Sequence, residues 1–224
     1  HNGRRRQRQM CIRDSKLSLK ALGIGPGDEV ITAANTFIAT VGAIGELYAK
    51  PVFVDCTDNF CMDVTKVAAA ITDKTKAIVP VHYAGQMTDM LALKKLADEH
   101  GLPIVEDSCQ CILGEIDGLK AGTVGETGAF SLHPLKNLNV WGDGGVIVTN
   151  CSEINKSLKL LRNHGLSNRD NVEILGCNSR LDSVHAVVGN YLVDKVHTIT
   201  SQRIKNAERL DEGLKRIEGI KLPL

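Results

Sequence analysis

Lys136 sits in the run Ser131-Leu-His-Pro-Leu-Lys136-Asn-Leu-Asn-Val-Trp-Gly-Asp-Gly-Gly145, between an expected strand over 128–132 and a glycine turn opening a second over 146–149. A lysine held beside apolar strands and a glycine turn is partly desolvated. Desolvation disfavours the ammonium form and frees the amine as a nucleophile toward an aldehyde. Taken alone, the same lysine also reads as a surface loop residue. A second stretch changes the balance: in Leu102-Pro-Ile-Val-Glu-Asp107-Ser-Cys-Gln110 an apolar run ends on a carboxylate. Open α/β sheets place ligand groups at the ends of their strands. A Schiff-base lysine and an acid for a pyridinium nitrogen are the pair that pyridoxal phosphate requires.

The elements that must position these two residues follow from the pattern around them. Leu17, Leu19 and Leu22 predict the end of a helix closed by the glycines at 23, 25 and 27. Those glycines are not a dinucleotide loop, which follows a strand and opens a helix, because they precede the strand expected over 29–32. Helices are expected over 36–48, 64–71 and 89–100, with Thr88 as a cap for the last. Strands are expected over 51–55, 76–81 and 103–106. After the lysine segment come a helix over 152–163, a polar loop to Ser179, and helices over 182–197 and 199–217. Strands alternating with helices of this length indicate βαβ units and a largely parallel sheet, hence an α/β fold.

Composition sets the outer limits. A hydrophobic share of 43% and a charged share of 24% in 224 residues suit a soluble globular chain with one large domain or slightly more. No apolar run reaches the roughly 20 residues of a membrane span, and no secretory leader is visible, so a cytoplasmic chain without membrane contact is expected. The cysteines at 11, 56, 61, 109, 111, 151 and 177 are scattered and form no Cys-x-x-Cys pair. They read as reduced thiols rather than zinc ligands or disulfides. His82, His133 and His164 match no metal-ligand spacing and read as structural or substrate-adjacent, so no metal is expected. Net charge is 27 − 26 = +1, but residues 1–15 hold five arginines (4, 5, 6, 8 and 13) against Asp14. A basic arm can bind nucleic acid. The preferred reading is that Arg6-Gln-Arg-Gln-Met-Cys-Ile-Arg-Asp-Ser15 resembles a translated adapter, which leaves no nucleic-acid role to expect.

The motifs ALGIGPGDEVITAANTFIAT (21–40), 51–55, 80–85, 105–110, 130–145 and 176–182 fall in the order of one known family. The chain resembles the nucleotide-sugar aminotransferases of the DegT/StrS family from about Leu17 onward. The resemblance implies the large domain of a PLP-dependent transferase, a three-layer αβα sandwich around a mostly parallel mixed sheet. It implies that Lys136 carries the cofactor and shuttles a proton, and that Asp107 pairs with the ring nitrogen. By itself Asp107 also reads as a strand-end cap. Gln110 matches the residue near the cofactor's phenolic oxygen, Ser131 a phosphate-binding hydroxyl, and Phe37 the aromatic stacked on the ring, although Phe37 also reads as a core aromatic. Asn178 matches an asparagine that reaches the phosphate of a neighbouring subunit, which implies a homodimer with shared sites. Arg180 and Asp182 read as structural.

The implied reaction moves an amino group from an amino acid, glutamate in expectation, to a nucleotide-linked keto sugar in amino-sugar or polysaccharide synthesis. Two departures accompany it. Cys11-Ile-Arg-Asp14 stands where the family carries a phosphate loop, and the family's C-terminal small domain is expected to be largely missing. The expected domains are therefore 1–15 (non-native), 16–199 (PLP-binding) and 200–224 (linking helix and the start of the small domain). The departures keep open a PLP-binding but non-catalytic or regulatory relative. The family's dehydrating branch is a further alternative, but it replaces the lysine with histidine, so the intact Lys136 argues against it.

Overall fold

The computed structural model describes residues 10–222, with side chains from Arg13 onward; most of the basic arm and the end of the chain lie outside the described residues. The chain opens with α1 (Met10–Ala21), β1 (Glu29–Ala33), α2 (Ile38–Gly45), β2 (Lys50–Val54), α3 (Val67–Ala70), β3 (Thr75–Val79), α4 (Met90–His100) and β4 (Val105–Asp107). It continues with β5 (Glu115–Ile116), β6 (Leu119–Lys120), β7 (Thr127–Ser131), β8 (Gly145–Val148), α5 (Ser152–Leu161), β9 (Leu166–Asn168), β10 (Asn171–Val172), α6 (Ser183–Val193) and α7 (Val196–Leu214).

The central strands run β2-β1-β3 and β4-β7-β8, parallel throughout except for β8. The two halves join where Ile78 bridges Ile104 and Val81 bridges Asp107, both parallel. All residues of β1 are buried, as expected for a parallel strand covered on both faces. Alternation sorts them into two cores. Val30, Ala77, Val79 and Val105 pack with Leu19, Ile44 and Leu47 under α1 and α2. Ile31, Ala33, Ile78 and Ile104 pack with Met90, Leu93 and Ala97 under α4. The expected three layers, helix, sheet and helix, are thus present.

Several local expectations shift. Helix α4 is capped by Asp89, whose side chain accepts from the Ala92 N–H at 3.0 Å, and not by Thr88. Asp89 directly precedes the first helical residue and so reaches the third-position amide. Thr88 is buried, donating its amide to His82 Nδ1 at 3.3 Å and its hydroxyl to the Val81 carbonyl at 3.3 Å. The helix expected over 64–71 is a 3-10 turn followed by the single turn of α3. The expected domain limits at 15/16 and 199/200 fall inside α1 and α7. Two hairpins were not expected. β5–β6 turns through Asp117 (φ 50°) and Gly118 (φ 77°), an Asp-Gly pair suited to a type I′ turn, and β9–β10 lies within the polar loop.

One close approach holds the start of β7 against the turn at Gly122. A Cβ on Gly128 would stand 2.2 Å from the Gly122 carbonyl oxygen and 2.3 Å from its Cα, both backbone atoms that cannot swing aside. Gly128→Ala is expected to destabilise the fold by about 1–3 kcal/mol, read as a lowered denaturation midpoint. An unchanged midpoint would show that the turn at Gly122 yields freely.

Candidate active site

Asp107 ends β4, where its carbonyl accepts from the His82 N–H at 3.0 Å and its N–H donates to the Pro80 carbonyl at 2.9 Å. These ties to the segment after β3 fix the backbone. The side chain is buried and fixed as well: Oδ2 accepts from the Thr40 hydroxyl at 2.7 Å and Oδ1 from the Cys109 N–H at 3.2 Å. Thr40 lies in the first turn of α2, so that helix and β4 together aim the carboxylate. No sequence signal pointed to Thr40 in this role.

Lys136 closes a tight turn, its N–H donating to the His133 carbonyl at 2.8 Å. The turn follows β7, and antiparallel pairing of Ser131 with Gly145 holds its base. Lys136 is half-buried. It lines a cleft of about 830 Å³ together with Gln110, Ser131, Phe60, Tyr83 and Arg203. Ser131 is buried, and its Oγ accepts from the His133 N–H at 3.3 Å. Gln110 Oε1 accepts from the Ala84 N–H at 2.9 Å, which ties it to the left-handed turn Ala84-Gly85 (φ 51° and 94°).

The remaining expected residues stand apart. Phe37 is 67% exposed at the start of α2 and does not line the cleft, so the core-aromatic alternative is not what the fold adopts. Asn178 is exposed and lines a different depression with Arg13, Lys16 and Lys20, its carbonyl accepting from Arg13 Nη1 at 3.3 Å. Arg180 bonds Asn163, and Asp182 caps α6 by accepting from the Val184 N–H at 3.0 Å.

Behind Asp107 lies a buried polar cluster that the sequence reading did not assign. His82 Nε2 and Glu106 Oε2 are 2.9 Å apart, and both side chains are fully buried. His82 Nδ1 accepts the Thr88 amide, so Nε2 carries the proton and donates it to Glu106. Glu106 also accepts from the N–H groups of Gly122, Val124 and Gly125, each at 2.7 Å. Burial pushes this carboxyl upward, but the His82 hydrogen bond and the amides of Gly125 and Gly122 outweigh it and hold the acid below its usual range. A glutamate inside an apolar strand run was the available signal. The cluster locks β4 to the turn at 122–125.

A half-buried lysine and a buried hydroxyl on one cleft, with a buried carboxylate fixed by two donors just behind Ser108 and Cys109 of its lining, suit a cofactor with a cationic ring nitrogen, an aldehyde and an anionic arm.

Residues 14–223 match the model of the DegT/DnrJ/EryC1/StrS aminotransferase family. A "Pleiotropic regulatory protein" of Geobacillus stearothermophilus is 44% identical over 204 residues, 91% of this chain and 55% of that protein. The dTDP-3-amino-3,4,6-trideoxy-alpha-D-glucose transaminase of Micromonospora megalomicea subsp. nigra is 43% identical over 214 residues, 93% of this chain and 57% of that enzyme. Among solved structures, S. venezuelae DesV in complex with a ketimine intermediate superposes with a TM-score of 0.91 at 39% identity, covering 96% of this chain and 58% of that one. NtdA from Bacillus subtilis, with bound cofactor PMP, gives 0.86 at 32% identity over 96% of this chain and 50% of that one. The chain therefore spans a little over half the length of the curated relatives it matches.

Proposed function

The chain belongs to the DegT/DnrJ/EryC1/StrS aminotransferase family, and from that premise we propose that it forms the cofactor-binding part of a pyridoxal phosphate-dependent sugar aminotransferase. The observation that carries the reading is the meeting of Lys136, Ser131 and Gln110 on one cleft beside the end of β4, where Asp107 lies buried. The substrates are a nucleotide-linked keto sugar and an amino-acid donor, glutamate. The protein works in the cytoplasm as a homodimer, with Asn178 turned toward the partner's site.

Pyridoxal phosphate, when bound, supplies an aldehyde that captures amines and a cationic ring that accepts electrons from a neighbouring carbon. Lys136 Nζ would hold that aldehyde and would carry a proton to and from the substrate carbon. Asp107 would accept the N–H of the ring nitrogen, and the Thr40 hydroxyl and Cys109 amide keep its carboxylate aimed. Ser131 Oγ would bind the phosphate and Gln110 would orient the ring's oxygen, whereas Phe37, exposed and outside this cleft, would have to move to reach the ring.

The test is the visible spectrum of the purified chain after adding pyridoxal phosphate, followed by borohydride reduction and peptide mapping. A new absorbance band and a reduced label on Lys136 are expected. A label on other lysines, or none on a chain extended to the length of its relatives, would sink the assignment. A second reading, a regulatory relative that binds the cofactor without turnover, is favoured by the name of the Geobacillus stearothermophilus protein. Labelling at Lys136 without amino transfer to any nucleotide-linked ketose would decide for it.

A further inference from the structure

Arg203 has no part in the chemistry above, yet it lines the same cleft as Lys136. Thr200, Arg203, Ile204 and Ala207 all line it, and their helical spacing puts them on one face of α7. Two bonds seat that face against the turn that carries the lysine. Asn137 Nδ2 donates to the Thr200 hydroxyl at 3.3 Å, and Arg203 Nη2 donates to the Leu135 carbonyl at 3.5 Å. The contacts fall on the two residues that flank Lys136, so the guanidinium stands against the lysine's own turn.

We propose that Arg203 is the residue of this cleft that binds an oxyanion of the substrate, a carboxylate or a phosphate. The inference rests on the reading of the cleft as a sugar aminotransferase site, whose amino-acid donor and nucleotide-linked acceptor both carry such groups. Among the described residues the cleft is lined by three charged side chains, Asp58, Lys136 and Arg203. Asp58 repels an anion and faces Lys221 at 3.5 Å. Lys136 is engaged by the cofactor's aldehyde in that reading. Arg203 is left, and it pairs with no carboxylate among the described residues. A guanidinium carries five N–H donors in a planar fork, and the Leu135 carbonyl takes only one of them.

The rest of α7 sets this arginine apart. Arg209 lines a separate depression with Asn206, Leu210 and Leu214, while Lys205, Glu208 and Glu212 line neither. The cleft-facing stripe therefore holds one charge among uncharged neighbours. Around it Phe60, Tyr83, Ile112, Leu113 and Phe130 give the cleft apolar walls, which strengthen the attraction between a cation and a bound anion.

The experiment measures ligand binding to the protein loaded with pyridoxal phosphate, for wild type, Arg203→Ala and Arg203→Lys. L-Glutamate, read by the change in the visible spectrum, probes a carboxylate. dTDP and UDP, read by calorimetry, probe phosphates. Arg203→Ala is expected to weaken at least one of the two classes by roughly 10–100-fold, and the class weakened identifies the oxyanion. Arg203→Lys keeps the charge without the planar fork and is expected to fall between wild type and alanine. Added guanidinium ion is expected to restore part of the affinity lost in Arg203→Ala. Both classes bound within about threefold of wild type overturns the proposal. A loss that neither lysine nor guanidinium ion reduces marks a structural role and overturns it as well.

Arg203 is exposed, so its replacement is expected to leave the fold intact. Should loss of the Leu135 contact disturb the lysine's turn, Arg203→Gln keeps an N–H₂ donor without the charge. The same weakening is expected there, and wild-type affinity in that variant overturns the proposal. Labelling of Lys136 after borohydride reduction is read on every variant. A wild type that takes no label refutes the cofactor reading and this inference with it. Label at Lys136 with unchanged affinities in the variants refutes the role of Arg203 alone.

Discussion

Replacing Lys136 with alanine is expected to remove the borohydride-stable cofactor label and to lower amino transfer by roughly 10²–10⁴-fold or more. The alanine keeps the backbone of the turn, whose defining contact is the Lys136 N–H to the His133 carbonyl at 2.8 Å. Folding should therefore survive, since the half-buried side chain has solvent on one side. The measurement is paired: label and turnover on one hand, thermal midpoint on the other. Loss of both activities with a midpoint within a few degrees of wild type is the expected result. Retained turnover in the variant would show that another residue carries the chemistry.

Glu106→Gln carries the second large effect, this time on stability. Every contact of the Glu106 carboxylate is with a donor: His82 Nε2 and the amides of Gly122, Val124 and Gly125. A glutamine would turn its own N–H₂ toward one or more of them and strand buried donors without acceptors. Breaking a fully buried charged cluster costs on the order of 3–5 kcal/mol, against about 0–1 for an exposed pair such as Lys94–Asp98. A loss below about 1 kcal/mol in chemical denaturation would mean that water or a shifted turn replaces the lost acceptor.

The pH dependence of the same residue has a definite sign. Its acid is held below 4.5 in the folded chain, so its contribution is complete above that value and fades as the pH falls through the folded value. Asp14 acts in the opposite direction and at higher pH, because burial raises its folded-state value from 3.8 to about 8. Between them, the two buried acids give the fold a stability that rises through the acid range and declines toward about 8.

The match to the family begins at residue 14, and Asp14 and Ser15 are both buried. The sequence reading set residues 1–15 aside as non-native. That reading rests on the likeness of Arg6-Gln-Arg-Gln-Met-Cys-Ile-Arg-Asp-Ser15 to a translated adapter, a likeness that says nothing of how Asp14 packs. Burial against Gly145 is a property of two segments far apart in the chain.

The same division runs through the whole molecule. Alternating strands and helices, the glycine that ends α4 in a left-handed conformation, and the order of the Asp107 and Lys136 motifs are local patterns, legible along the chain. Local steric preference and the spacing of apolar residues determine the elements, so the sequence alone sufficed for the α/β class. Tertiary structure decided which polar groups meet: Thr40 on Asp107, His82 on Glu106, and Asp14 beneath Gly145. It also left Phe37 exposed and put Asn178 outside the Lys136 cleft. These pairings depend on strand register and on how α1 and α2 lie across the sheet, quantities summed over many weak contacts that no single stretch of sequence encodes.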